Sequence, residues 1–271
     1  MHITVLTDNY TYIDRYYLGE PAVSYYIQAD GKNILFDAGY SDVFLKNGHA
    51  MGVDFSSLDY LAISHGHNDH TGGLGELLPE FQGTSSKPIF VAHPDVFEQR
   101  YADGLNISPS VTAKELEQCF SVRLTRQPLK LTENLYFLGE IPRQNDFESQ
   151  KAVGICRSLS GDICDFVADD SALVYKGGNG IYLITGCSHA GICNIIEYAK
   201  KVTGESRILG VLGGFHLFEL DNQTEKTIQY LKQQEIPALY PCHCTSLRVK
   251  AEMMKEMSIE EVGVGLTLEW L

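Results

Sequence analysis

Basic side chains are scarce in this chain: 21 Lys and Arg stand against 35 Asp and Glu, a formal charge of −14. A polyanion meets a repulsive field there, so long nucleic acids are not expected partners, although a small anion can still be held locally. Long apolar runs are also missing. None approaches the ~20 residues that span a bilayer, and no membrane partner is expected. The N-terminus, Met1-His2-Ile3-Thr4-Val5-Leu6, has no basic stretch leading into a long apolar segment and does not read as a secretion signal. The cysteines, at 119, 156, 164, 187, 193, 242 and 244, are odd in number and include no CxxC pair. That pattern argues against a disulfide framework and a zinc ribbon, and for a reducing cytoplasm. No Gly-x-Ser-x-Gly elbow and no Gly-rich phosphate loop in strand–helix context is present.

What is there suits a soluble globular chain. Its 271 residues are 44% hydrophobic and 21% charged. A chain of this size buries roughly 70–75% of its unfolded surface, so it needs no metal merely to fold. A metal it does bind is then more readily catalytic than structural. Short strand-like runs open the first half: Ile3–Leu6, Val23–Gln28 and Asn33–Phe36, the last two parted by the turn signal Asp30-Gly31. Tyr60–Ser64 is a further apolar run; a helix from Gly72 to Leu78, a strand at Pro88–Ala92 and a helix starting near Pro94 follow. In the second half the strand Ile181–Thr185 precedes apolar residues at helical spacing, Ile192, Ile195, Ile196, Ala199 and Val202. Strand Ile208–Leu212, helix Gln223–Gln234, strand Ala238–Tyr240, helix Leu247–Glu256 and a strand near Gly265–Leu268 complete the pattern. With no repeat or linker, residues 1–271 read as a single domain of the α/β (α+β) class. A stretch at about 139–170 mixes charge, Gly and Pro without period and reads as a lid-like insertion.

Chemistry concentrates in Ser64-His65-Gly66-His67-Asn68-Asp69-His70-Thr71-Gly72-Gly73. Four metal-ligating side chains fall within six residues at the end of an apolar strand. Histidines two apart in extended chain point the same way, so His65 and His67 can share one ion. Asp69 and His70 sit where the chain must turn, which aims them at a second position nearby.

His-x-His-x-Asp-His resembles the defining motif of the metallo-β-lactamase superfamily. Further segments are similar to one branch of it, the 7,8-dihydropterin-6-methyl-4-(β-D-ribofuranosyl)aminobenzene-5′-phosphate synthases and their relatives. They are Ile34-Leu35-Phe36-Asp37-Ala38-Gly39, Gly139-Glu140-Ile141-Pro142-Arg143, Thr185-Gly186-Cys187-Ser188-His189-Ala190-Gly191, Gly213-Gly214-Phe215-His216-Leu217 and Cys242-His243-Cys244-Thr245. The resemblance implies a four-layer αβ/βα sandwich with a site at the sheet edges.

Carried over residue by residue, it implies one ion held by His65, His67 and His189 and a second held by Asp69, His70 and His243. Such donors suit zinc first, with manganese or iron as alternatives. Cys187 stands where most of the superfamily has a bridging aspartate. It is either a soft bridging ligand or merely packed with water alone bridging, and the second is preferred. His216 is a ligand, a general acid for the leaving group, or a core histidine; the proton-transfer role is favoured. Asp37 is expected to support a metal-binding histidine. Arg143 and Glu148, in the lid, are candidate substrate contacts, and Asp69 would orient the nucleophilic water. His93 reads as a cap, and Asp169-Asp170 as the start of a strand.

The expected activity is metal-dependent hydrolysis of a small, phosphorylated substrate, a phosphoester or phosphodiester, through two divalent ions. A lactone or thioester hydrolase is the runner-up. A di-iron redox protein fits less well, since those relatives usually carry Glu at the place of His67 together with a flavin domain. A non-catalytic metal-binding module is the remaining alternative. Oligomeric state is not legible.

Overall fold

Apolar residues occupy both faces of the central strands, and that alternation explains the layering. On the strand Ser24–Ala29, Tyr25 and Ile27 join the core between two sheets while Tyr26 joins an outer one. On Lys32–Phe36, Ile34 and Phe36 point inward and Leu35 outward. The second sheet repeats the scheme, with Ile184 and Leu212 inward and Leu183 and Val211 outward. Successive side chains of a strand leave on opposite faces, so a strand apolar at every position must be covered twice.

The computed structural model describes residues 1–81, 87–158 and 161–271, the side chain of Ser158 excepted. Among them, one sheet of seven strands and one of six stack face to face. Helices Val43–Ala50 and Ala113–Cys119 cover the outer face of the first. Helices Ile192–Thr203, Asn222–Gln233 and Leu247–Met253 cover the second. Three cores between four layers make the αβ/βα sandwich expected from the sequence. No helix is long and apolar enough to cross a membrane among the described residues.

Strand direction decides where chemistry can gather. Lys32–Phe36 and Tyr60–Ala62 run parallel, as do Gly180–Thr185, Ile208–Gly213 and Leu239–Pro241. Their C-terminal ends deliver Asp37, His65, Cys187, His216 and His243 to the loops of one rim. Ligand sites of such sheets characteristically form outside the carboxyl ends of the strands.

Local differences from the sequence reading have physical causes. The helix expected over 72–78 is split into Asn68–Thr71, Leu74–Leu77 and a 3₁₀ turn, Leu78–Phe81. Gly72 and Gly73 lie at the break, pressed so close to the Tyr40 and Ala38 carbonyls that a Cβ would fall 2.3 and 2.2 Å from them. Near Pro94 there is a 3₁₀ turn, Pro94–Phe97, capped by His93, which accepts the Asp95 N–H. The stretch 139–170 holds a hairpin, Gly154–Ser158 with Gly161–Asp165, which pairs onto Gln99–Ala102 in a separate four-stranded sheet. Leu159 and Ser160, within the expected lid, lie outside the described residues.

Neighbouring positions on one strand provide a direct test of the layering. Ile27 is fully buried between the sheets and Gln28 is exposed. Ile27→Ala should cost about 2–5 kcal/mol and Gln28→Ala within about 0.5 kcal/mol, read as urea midpoints at constant slope.

Candidate metal centre

Three imidazoles converge first. The rings of His65 and His67 are 4.6 Å apart, His65 and His189 4.7 Å, and His67 and His189 4.9 Å, centroid to centroid. One ligand atom from each falls within 4.8 Å of the others. A close turn makes this possible: a Cβ on Gly66 would lie 2.1 Å from the Val96 carbonyl oxygen, so only glycine fits between the two histidines. Asp69, His70, Cys187 and His243 make a second group of the same tightness. Asp69 Oδ2 lies 3.3 Å from His243 Nε2 and 3.7 Å from His70 Nε2, and Cys187 Sγ lies 3.2 Å from His70 Nε2. Cys187, His189 and His216 form a third, so Cys187 and His189 each belong to two groups.

The geometry is held at a cost. Asp37, Ser188, His216 and His243 all have φ between 47° and 60°, a region that side-chain-bearing residues seldom occupy. Such strain persists only where the surroundings over-determine it, and four such residues stand at this rim.

Buried ring nitrogens give the fit test for cations. His65 Nε2, both nitrogens of His189, His216 Nδ1 and His243 Nε2 are buried with no hydrogen-bond partner among the described residues; His67 Nε2 is unpartnered too but faces Asp165 Oδ2, 3.9 Å away. Each orphaned polar atom costs about 1–3 kcal/mol. Opposite nitrogens of three rings are engaged: His65 Nδ1 with Ser64 Oγ at 3.0 Å, His70 Nδ1 with Asp37 Oδ2 at 2.7 Å, and His243 Nδ1 with Asn9 Oδ1 at 2.9 Å. Asp37 is itself anchored by the Ser64 N–H and hydroxyl, each at 2.7 Å. Imidazoles steadied on one nitrogen and free on the other are what divalent cations require.

Burial, reinforced by neighbouring imidazoles, holds His65 and His189 well below the ordinary histidine range, so both are neutral and lone-pair bearing. Burial opposes a charge on His70 too, yet Asp69 and Asp37 overcome it and raise its pKa to about 9. Asp69 is likewise opposed by burial, but His70 and His243 hold its carboxyl well below the usual range. Burial pushes the Cys187 thiol well up.

The two expected substrate contacts sit elsewhere. Glu148 is 1% exposed, and its carboxylate accepts the Cys193 and Asn194 N–H groups at 2.9 Å each. It satisfies the start of helix Ile192–Thr203, where Gly191 supplies no capping side chain, and is not free to bind substrate. Arg143 donates to the carbonyls of Phe166 and Val167, bracing a loop. A cavity of 360 Å³ opens beside His189 and His216, with Lys151, Phe166 and Phe218 on its walls.

Sequence reasoning missed several contributors. Asn9 and Asp8 reach His243 from the first strand's loop, Asp8 Oδ2 accepting its N–H at 3.1 Å. Asp169 accepts the Gly66 N–H at 2.8 Å and pairs with the buried Arg100 at 2.7 Å. Asp170 accepts the Ala190 N–H beside His189, and burial pushes its carboxyl up to about 7. The Asp169-Asp170 pair after an apolar position was the available signal; Arg100 offered none.

The sequence pattern of the metallo-β-lactamase superfamily matches residues 18–100. An uncharacterized protein of Methanocaldococcus jannaschii is 34% identical over 253 residues, 93% of each chain. The 7,8-dihydropterin-6-methyl-4-(β-D-ribofuranosyl)-aminobenzene-5′-phosphate synthase of the same organism is 30% identical over 269 residues, 94% of this chain and 90% of that one. A crystal structure described as a metal-dependent hydrolase of the β-lactamase superfamily superposes with a TM-score of 0.84 at 28% identity, covering 100% of this chain and 99% of the other. The chain belongs to the metallo-β-lactamase superfamily, among its metal-dependent hydrolases.

The raised pKa of His70 has a measurable consequence for chelator-treated protein. Folded protein keeps a proton there up to about pH 9, whereas the unfolded chain loses it near 6.5. Stability from this group is complete below about pH 6.5 and lost as pH rises through 9, a fall of roughly 1–3 kcal/mol. Urea midpoints across that window should show the fall, and His70→Gln should flatten it.

Proposed function

We propose that this hydrolase uses two divalent ions, zinc first, to cleave a small phosphorylated ester. One ion would be held by His65, His67 and His189, the other by Asp69, His70 and His243. The observation carrying this reading is the pair of adjoining groups, each of which contains buried ring nitrogens with no hydrogen-bond partner among the described residues. When bound, such ions acidify water and supply Lewis-acid charge for the developing anion.

The chain's own residues do the rest. Asp69, kept ionised by His70 and His243, offers an oxygen that orients the attacking water. Ser64 and Asp37 hold His65 and His70 in fixed tautomers, so the site is organised before substrate arrives. His216 stands between the metal groups and the cavity, its ring 4.2 Å from that of His189 and 4.9 Å from that of Phe218, and passes a proton to the leaving group. Lys151 is the cationic side chain among the described cavity residues and suits an anionic substrate. The relative named a 5′-phosphate synthase supports the same choice. Cys187, buried with its thiol protonated, packs against both groups; Cys187→Ser should leave two ions in place.

Zinc-loaded protein should hydrolyse bis-p-nitrophenyl phosphate in preference to a lactone and a thioester. His67→Ala and Asp69→Ala should each lose bound metal and lower turnover by about a hundredfold or more, with circular dichroism unchanged. A His67→Ala protein with two ions and full turnover contradicts the assignment.

A further inference from the structure

Three charged side chains lie behind His67, outside the proposed chemistry. Arg100, Asp165 and Asp169 are 1%, 3% and 0% exposed. Arg100 Nη1 sits 2.7 Å from Asp169 Oδ1 and 3.8 Å from Asp165 Oδ2, and its Nη2 donates to the Asp95 carbonyl. Asp169 grips the Gly66 N–H at 2.8 Å. Asp165 accepts the Val167 N–H on Oδ1 at 2.7 Å, while its Oδ2, buried and without a hydrogen-bond partner among the described residues, lies 3.9 Å from the equally unpartnered His67 Nε2.

Taking such charges out of water costs several kcal/mol per ion, and a well-packed apolar replacement is often at least as stable. Fold stability alone is therefore a poor reason for the cluster. Three of the other four ligand histidines point to a better one. His65, His70 and His243 are each steadied through Nδ1, by Ser64, Asp37 and Asn9. For His67 the steadied atom would be Nε2, and the acceptor facing it is Asp165.

We propose that Asp165, fixed by Arg100, is the positioning residue of His67: it takes the Nε2 proton and so presents Nδ1 to the metal. A separation of 3.9 Å exceeds a hydrogen bond, but contacts of this kind are often long before the site is loaded and tighten on binding. Arg100 and Asp165 both belong to the small sheet, Arg100 on Gln99–Ala102 and Asp165 at the end of Gly161–Asp165. That sheet is thus a brace for the HxH turn rather than a lid. The assignment rests on the two-metal reading above.

Two measurements test it. In metal-free wild-type protein, the ¹⁵N shifts of the His67 ring should report the tautomer protonated at Nε2. In Asp165→Ala, chelator competition should show one zinc ion bound about 10–100-fold more weakly and the other unchanged. His67 protonated at Nδ1, or wild-type affinity for both ions in Asp165→Ala, overturns the assignment; if the variant fails to fold, the wild-type spectrum decides. His67→Ala separates the two readings. Loss of an ion there but not in Asp165→Ala defeats only the positioning role, whereas retention of both ions in His67→Ala defeats the metal reading itself.

Discussion

Imidazole nitrogens buried without a hydrogen-bond partner among the described residues are the constraint around which the rest of this molecule is arranged. His65, His189 and His243 each carry at least one, within two adjoining groups, and a folded chain would ordinarily cover or hydrate such atoms. Keeping them bare needs a scaffold stable enough to absorb the penalty. The sandwich supplies it through apolar strands covered on both faces. Parallel strands turn their carboxyl ends to that rim, so residues far apart in sequence need only short loops to meet.

Electrostatics divides the rim into two unlike halves. The His65–His67–His189 group gathers imidazoles, of which burial keeps His65 and His189 neutral. The other half contains Asp69, and with Asp37 behind it His70 retains a proton to about pH 9. A cation entering the second half must displace that proton, whereas His65 and His189 in the first are already deprotonated. On the proposed two-ion reading, cation uptake and proton release would therefore be linked in one half more than in the other. The outer residues are unlike as well: a serine, an aspartate and an asparagine steady three of the five rings, and the Arg100–Asp165 pair lies behind a fourth, His67.

Legibility followed sequence distance. The HxHxDH cluster was readable because its members are adjacent; strand periodicity marked many of the strands, but the four-layer architecture followed from the family resemblance. His189 and His243 entered through family resemblance, since nothing local distinguishes them. Glu148 was misread for a physical reason: its role as a cap depends on helix Ile192–Thr203 lying some 45 residues away, a pairing that no local pattern records. Arg100 and Asp169 meet across a still wider gap, on a strand and a loop whose sequence carries no local signal of the pairing. The hairpin at 154–165 was hidden because its second strand, Gly161–Asp165, is exposed at every position but the last and so shows no apolar alternation, and because its partner strand, Gln99–Ala102, is short.

Diffraction from crystals grown with zinc, collected on both sides of the zinc absorption edge, tests the central claim most directly. The account predicts two anomalous peaks, one enclosed by His65, His67 and His189 and one by Asp69, His70 and His243. A single peak, or none within reach of these side chains, would contradict it.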